Sequence, residues 1–285
     1  MPRIAVLITC FNRCEKTLLC LRLLSNQKKG QDTEIAVYVV DGGSTDGTPK
    51  AIRDAFPDVK VVVKDGLYWA GGMRAAWRMA AEETDFDYYL LLNDDTSIYD
   101  HCIEKLIKTA VRCHEKFGRY GIVIGSTCSH EHQQLTYGGR KLIQRTKSKS
   151  VMVDPMKCEL QLCELGNGNI MLVHQNVFHT IGGLSERYTH GIADYDYTLR
   201  ASDAGIPVVV AFGYMGECER DHGNNWMPTK SSLKQRIDYL YSPKGLAYHE
   251  YLSFVKTFFP KEYFVSKIKL WAKTLFPFIW DISKK

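Results

Sequence analysis

The apolar run Tyr88-Tyr89-Leu90-Leu91-Leu92 passes straight into Asn93-Asp94-Asp95-Thr96, and no other stretch constrains the fold as much. A short, continuous apolar run bounded by charge reads as a strand buried on both faces, which puts it inside a mainly parallel sheet covered by helices. Two carboxylates then arrive at the strand's carboxyl end, where open α/β sheets bind ligands. Adjacent acids repel each other and serve stability poorly. A divalent cation with oxygen ligands makes them compatible, and such a cation calls for an anionic substrate.

The rest of the first half fits that sheet. Residues 4–9, 35–40 and 59–64 read as strands and 15–27, 48–56 and 72–83 as helices, with Leu18, Leu21 and Leu24 on one face of the first. A helix over 101–117 and a strand over 121–125 continue the alternation. From 126 to 164 the pattern loosens into basic, glycine-containing stretches such as Gly138-Gly139-Arg140-Lys141 and Arg145-Thr146-Lys147-Ser148-Lys149. Hairpins and a mobile loop are expected there, because the buried-strand signal resumes at Ile170-Met171-Leu172-Val173. A helix over 195–204 and a strand over 208–212 complete the core.

Composition narrows the class. At 285 residues, 45% hydrophobic and 12% aromatic, the chain has ample material for a packed core. Nine cysteines are scattered without a CxxC pair, which suits free thiols of a reducing compartment better than disulfides or zinc. With neither a signal-peptide pattern nor an apolar run long enough to span a bilayer, a cytosolic protein is expected. The net charge of +5 is carried by the segment from Lys256 to Lys285, where seven lysines face only Glu262 and Asp281. That distribution argues against a nucleic-acid groove through the body and for a terminal segment meeting an anionic surface.

Two loops carry further chemistry. The first strand ends Thr9-Cys10-Phe11-Asn12-Arg13 and the second Asp41-Gly42-Gly43-Ser44-Thr45-Asp46-Gly47-Thr48. Polar side chains and flexible backbone at strand tips suit a nucleotide at the switch point of a doubly wound sheet. A turn followed by a helix cap, with Asp46 or Ser44 satisfying amides, explains the second loop as well.

Taken with Asn93-Asp94-Asp95, Gly182-Gly183-Leu184-Ser185-Glu186 and Asp194-Tyr195-Asp196-Tyr197-Thr198-Leu199-Arg200-Ala201, these loops resemble glycosyltransferase family 2 over residues 3 to about 225. The likeness is strongest to the rhamnosyltransferase-like branch of bacterial surface polysaccharide synthesis, lipopolysaccharide or capsule. It implies an inverting enzyme of the GT-A fold: a Rossmann-like, doubly wound α/β domain over 1–225, with a donor half to about 125 and an acceptor half after it. A C-terminal helical extension, 226–285, follows.

The resemblance also assigns residues. Thr9, Phe11 and Arg13 line the base of a UDP- or dTDP-sugar, and Asp41 holds it. Gly71, Gly72 and Arg74, in a small-residue loop opening a helix, approach the diphosphate; a surface arginine is the alternative for Arg74. Asp95 keeps the metal-ligand position for Mn2+ or Mg2+. Asn93 replaces the first acid of the motif and is left to bond ribose or a metal-bound water, and Asp94 to contact ribose or its own loop. Asp194 is the base that activates the acceptor hydroxyl, although the usual preceding glutamate is Ala193. Asp196 contacts the acceptor or pairs with Arg200 at (i, i+4) spacing. Asn169, in Gly166-Asn167-Gly168-Asn169, shapes the floor of the sugar site and contacts the acceptor, with plain turn chemistry as the alternative, and His222 is a metal or diphosphate ligand or simply structural.

In the tail, Phe264, Ile268, Trp271 and Leu275 recur at helical spacing among Lys267, Lys269 and Lys273. Such a helix lies in a lipid interface, which suits a glycan or lipid-linked acceptor and a peripheral place on the cytoplasmic face of the inner membrane. The alternative is a helix packed on the body or on a second copy in a homodimer. Two other functions fit part of the pattern. One is a catalytically weak nucleotide-sugar-binding protein, suggested by Asn93 and Ala193. The other is a nucleotidyltransferase, which would want a glycine-rich loop after the first strand where Thr9 to Arg13 has none.

Overall fold

A computed structural model describes residues 1–27, 33–220 and 231–278. Its core is a mixed sheet in the order β10-β13-β6-β12-β4-β1-β2-β3. The first half contributes β1 (Arg3–Cys10), β2 (Glu34–Asp41), β3 (Lys60–Val63) and β4 (Tyr88–Leu92), which run parallel to one another. The two-residue β5 (Ser97–Ile98) pairs with the far end of β13 (Val208–Glu217), and β13 lies parallel to β6 (Ile122–Cys128). Between β4 and β6 sits β12 (Ile170–His174), antiparallel to both, with Ile170 opposite Leu92. This insertion brings residues 167–169 to the edge where β1 to β4, β6 and β13 all end, so the strand-tip loops gather on one side of the sheet.

Alternation along the strands divides the apolar material. Ile4, Val6, Ile8, Leu90 and Leu92 pack on one face with Cys20, Leu21 and Leu24 of α1 (Cys14–Gln27) and Ile103 and Leu106 of α4 (Cys102–Phe117). Ala5, Leu7, Tyr89 and Leu91 pack on the other with Met73, Ala76 and Trp77 of α3 (Trp69–Glu83) and Tyr197 of α6 (Ala193–Asp203). Every residue of β4 is buried, as the apolar run requires. The expected hairpins also form: β7 (Leu135–Tyr137) pairs with β6, while β8 (Gly139–Leu142), β9 (Ser150–Met152) and β11 (Leu165–Gly166) make a small separate sheet. The edge strand β10 (Gln161–Leu162) joins β13.

Three differences from the sequence reading bear on the site. Helix α3 starts at Trp69, three residues before the expected 72, so Gly71 and Gly72 lie inside its first turn. A short helix, α5 (Gln175–Ile181), follows β12 unannounced; His174 caps it, its Nδ1 accepting from the Asn176 N–H at 3.1 Å. The C-terminal helices α7 (Leu233–Tyr241), α8 (Tyr248–Phe258) and α9 (Tyr263–Leu275) are no loose tail. Phe254, Val255 and Phe259 share a core with Tyr188, Ala193 and Leu199, while Leu240, Tyr248, Leu252 and Leu270 tie the three helices together. Among the described residues no helix is long and apolar enough to cross a membrane.

Candidate active site

The acid pair sits at the tip of β4 and already holds a cation. Arg13, from the loop after β1, places Nη1 2.5 Å from Asp95 Oδ2 and 3.5 Å from Asp94 Oδ1. Asp94 is buried, and its Oδ2 accepts from Thr17 Oγ1 at 3.3 Å. Burial, and then repulsion from Asp95, push the Asp94 carboxyl up to about 7 against the pull of Arg13. Among the described residues, one guanidinium faces the two carboxylates. Hard carboxylate oxygens fit Mg2+ or Mn2+, which typically take one or two protein carboxylates and leave other positions to phosphate and water. Among the described residues, no group of three His, Cys, Asp or Glu side chains is placed to hold a metal. His222 lies outside the described residues.

A continuous wall runs from this pair to Asp194. Asn93 Oδ1 accepts from the Trp69 indole N–H at 2.8 Å, and the Asn93 N–H donates to Asn169 O at 3.0 Å. Asn169 is buried with its Nδ2 directed to Cys218 Sγ at 3.4 Å, and Cys218 Sγ lies 3.8 Å from Asp95 Oδ1. Asn169 therefore acts as a brace between β4 and β13 and has little surface for the acceptor contact expected of it. The Asn93 amide meets Trp69 without adding a third negative charge beside the pair, a physical reason for the departure from an all-acid motif. On the far side of Trp69, Gly168 has no room for a side chain: a Cβ would lie 2.4 Å from Trp69 Cζ2. The Gly168 N–H donates to Asp194 Oδ2 at 2.9 Å, and the Tyr195 N–H to Oδ1 at 2.8 Å. Asp194 is half-buried in the first turn of α6, and desolvation raises its carboxyl above the usual range despite those amides.

Other assigned residues are spent on structure. Asp41 is fully buried, with Oδ1 accepting from the Gly43 and Ser44 N–H groups at 3.0 and 2.7 Å and Oδ2 facing Cys10 Sγ at 3.4 Å. It shapes the turn after β2 and offers no open edge to a base. That turn is zipped to the β1 loop: Asn12 bonds Ser44 and Thr45, and Asp46 accepts from the Cys14 N–H. Gly72 packs against β1, since a Cβ there would fall 2.1 Å from Thr9 Oγ1, and its N–H is taken by Tyr68 O. Gly71 abuts Leu67 in the same turn, so close packing, more than approach to a diphosphate, accounts for both glycines and for buried Thr9. Arg74 turns away, its Nη1 donating to Ser185 O at 2.8 Å and Tyr188 O at 2.9 Å. Asp196 is fully buried between Arg200 Nε at 2.7 Å and Arg187 Nη2 at 3.2 Å. Of its two expected roles the structural pair is present, and no carboxylate face is left for an acceptor. Phe11, by contrast, is half exposed at the cleft rim.

The sequence reading passed over Trp69, which joins the two ends of the site. Its only signal was a large aromatic at the junction of strand loop and helix, and nothing local says which way such a ring turns.

The profile of a family described as Glycosyl transferase family 2 matches residues 5–165. Among solved structures, the chain is similar to mannosyltransferase PcManGT from Pyrobaculum calidifontis, described in complex with GDP-Man and Mn2+. The two share 16% identity at a TM-score of 0.52, with 84% of this chain and 61% of that one covered. The chain thus spans less than two thirds of that protein's length, and at this identity the likeness speaks to the fold alone. No relative matches among curated proteins. The family match takes in more than half of the chain, from β1 to β11 and including the acid pair, and the architecture is that of the GT-A fold: the chain belongs to glycosyl transferase family 2.

Proposed function

We propose that this enzyme transfers a sugar from a nucleoside-diphosphate sugar, UDP or dTDP, to a hydroxyl of a glycan or lipid-linked acceptor with inversion at the anomeric carbon, in bacterial surface polysaccharide synthesis. The observation that supports the reading is the wall Asp95–Asn93–Trp69–Gly168–Asp194, a run of contacts that links the acid pair to a carboxylate raised by burial. Asp194 accepts the proton of the acceptor hydroxyl as its oxygen bonds the anomeric carbon. The bond from that carbon to the phosphate oxygen breaks on the opposite face, and the diphosphate leaves. Raised toward the working pH, this carboxyl is a better base than an ordinary one. Asp95 and Asp94 are the residues that would hold Mn2+ or Mg2+, which supplies neutralising charge to the leaving diphosphate when bound. Arg13 supplies fixed positive charge beside the same oxygens.

A screen of nucleotide sugars for thermal stabilisation, with and without Mn2+, tests the donor half of this reading. A donor at 100 times its dissociation constant adds about 2.7 kcal/mol of stability. Stabilisation that needs the cation and disappears in Asp95→Ala supports the reading. Equal stabilisation in both proteins would remove Asp95 from the metal. A protein that binds the donor but transfers to no acceptor would instead be the catalytically weak binder.

A peripheral membrane place is proposed for α9. It buries Ser266, Leu270 and Thr274 and sends the Trp271 indole N–H to Tyr248 Oη at 3.2 Å, leaving Phe264, Val265, Ile268 and Leu275 exposed with Lys261, Lys267 and Lys269. Exposed aromatic and aliphatic groups among lysines suit an anionic lipid surface, at about 1 kcal/mol per lysine. Phe264→Glu with Ile268→Glu should abolish sedimentation with phosphatidylglycerol vesicles while the protein stays folded. A wild type that ignores vesicles but forms a dimer that the double variant splits would assign this face to a second copy.

A further inference from the structure

Lys244 lies outside the family match and outside every motif, yet it reaches the loops that follow β1 and β3. Its Nζ stands 5.6 Å from the ring centroid of Phe11 and 6.0 Å from that of Tyr68. Phe11 follows the tip of β1, and Tyr68 sits between β3 and the first residue of α3. Both rings are substantially exposed, 48% and 37%. A surface lysine ordinarily leaves its ammonium in water, but the turn that carries this one is built. The Gly245 N–H donates to Ser242 O at 2.9 Å around Pro243, which pre-sets the backbone for such a turn. Tyr239 O accepts from the Leu246 N–H at 3.0 Å, and a Cβ on Gly245 would fall 2.0 Å from that same oxygen. Behind the turn, Glu250 of α8 accepts from the Thr189 N–H at 3.0 Å and its hydroxyl at 2.6 Å, and Thr189 O accepts from the Ala70 N–H in the first turn of α3. The extension is thereby tied to the element that carries Trp69.

We infer that Lys244 is a donor-binding residue, through which the C-terminal extension supplies a cation to the diphosphate of the nucleotide sugar. The inference rests on the nucleotide-sugar reading above. Two exposed rings offer a planar base a stacking surface, and a cation drawn to their faces stands ready for an anion bound beside them. When a base takes the ring face, the ammonium gives up its weak contacts with the rings and pairs with a phosphate oxygen, a stronger, charge-assisted bond. Residues 242–247 then belong to the donor site, although they follow the last strand of the sheet.

Titration calorimetry on the full chain with Mn2+, comparing UDP, dTDP and GDP with uridine, thymidine and guanosine, separates phosphate recognition from base stacking. Lys244→Met should weaken the favoured nucleoside diphosphate about tenfold, the worth of one charge-assisted contact, and leave its nucleoside within about twofold. Lys244→Arg should restore most of the loss, with melting temperatures unchanged in both. Unaltered diphosphate binding in Lys244→Met, or equal weakening of diphosphate and nucleoside, would overturn the inference and leave the nucleotide-sugar reading intact. A wild type that binds none of the nucleoside diphosphates overturns both.

Discussion

At the scale of single residues, the carboxylates assigned to the site differ in their partners and in how far they are buried. Asp41 and Asp196 are fully buried among local amides and guanidinium groups, Asp94 and Asp95 share one guanidinium, and Asp194 accepts two backbone amides while staying only half-buried. The sequence shows where acids lie along the chain; it does not show that the amides of Gly43 and Ser44 curl back onto Asp41. Asp94 gives a pH test. Its carboxyl is raised from 3.8 to about 7, so the folded state holds the proton more tightly than the unfolded one. The stability this contributes is fully present below about pH 4 and is lost as pH rises through 7. Thermal melts of the metal-free protein should therefore show wild type falling relative to Asp94→Asn across that window, with Mn2+ reducing the gap. Parallel curves would mean Asp94 is not strained. Gly168→Ala tests the wall: a Cβ 2.4 Å from Trp69 Cζ2 and 3.5 Å from Asp194 Cβ displaces the indole and the base. Turnover should drop about 10²-fold with donor affinity nearly unchanged, since small misplacements of reacting groups cost that much. An equal loss of donor binding would show that Gly168 serves the donor instead.

At the scale of elements, the buried strands were legible because apolar runs of four to eight residues between charged ends have few other solutions. The position of β12 was not, since burial on both faces says nothing about direction, and it is the antiparallel insertion that delivers Gly168 and Asn169 to the cleft. The start of α3 was misjudged for a related reason. Gly71 and Gly72 look like loop residues locally, but the contact of Gly72 with Thr9 rewards helix there. Helix α5 depends on His174, whose ring caps it and stacks on Tyr120 at 4.1 Å between centroids. Burial lowers its pKa from 6.5 to about 4, so its stabilisation is present above pH 6.5 and lost as pH falls through 4. This trend opposes that of Asp94, so each must be read as a difference between variant and wild type. His174→Ala should cost about 1 kcal/mol or more at pH 7, the worth of a cap, with the cost shrinking toward pH 4 in urea titrations. A constant difference would remove the titration from the account.

At the scale of the molecule, the fold gathers at one edge of the sheet four groups of residues: the neighbouring β1 and β4 tips, the first turn of α3, the approach to β12, and the start of α6. Motif spacing made the first and last of these legible, through Asp95 and Asp194. The middle two are joined by Trp69 and Gly168, whose meeting is a product of packing and leaves no pattern in sequence. The C-terminal helices were legible as an amphipathic segment, with packing on the body one of two alternatives, but their partners were not, because those of Phe254 and Phe259 are Tyr188 and Leu199, on the other side of β13 in the chain. The central claim is that Asp194 at one end of this wall does chemistry while the acid pair at the other binds the donor. The most direct test is turnover and donor affinity measured together for Asp194→Asn, with the donor found by thermal stabilisation. A loss of roughly 10²–10⁴ in turnover, the usual worth of a general base, with donor affinity within a few-fold of wild type, is the predicted result. Retained turnover with weakened donor binding would contradict it and make Asp194 a binding residue.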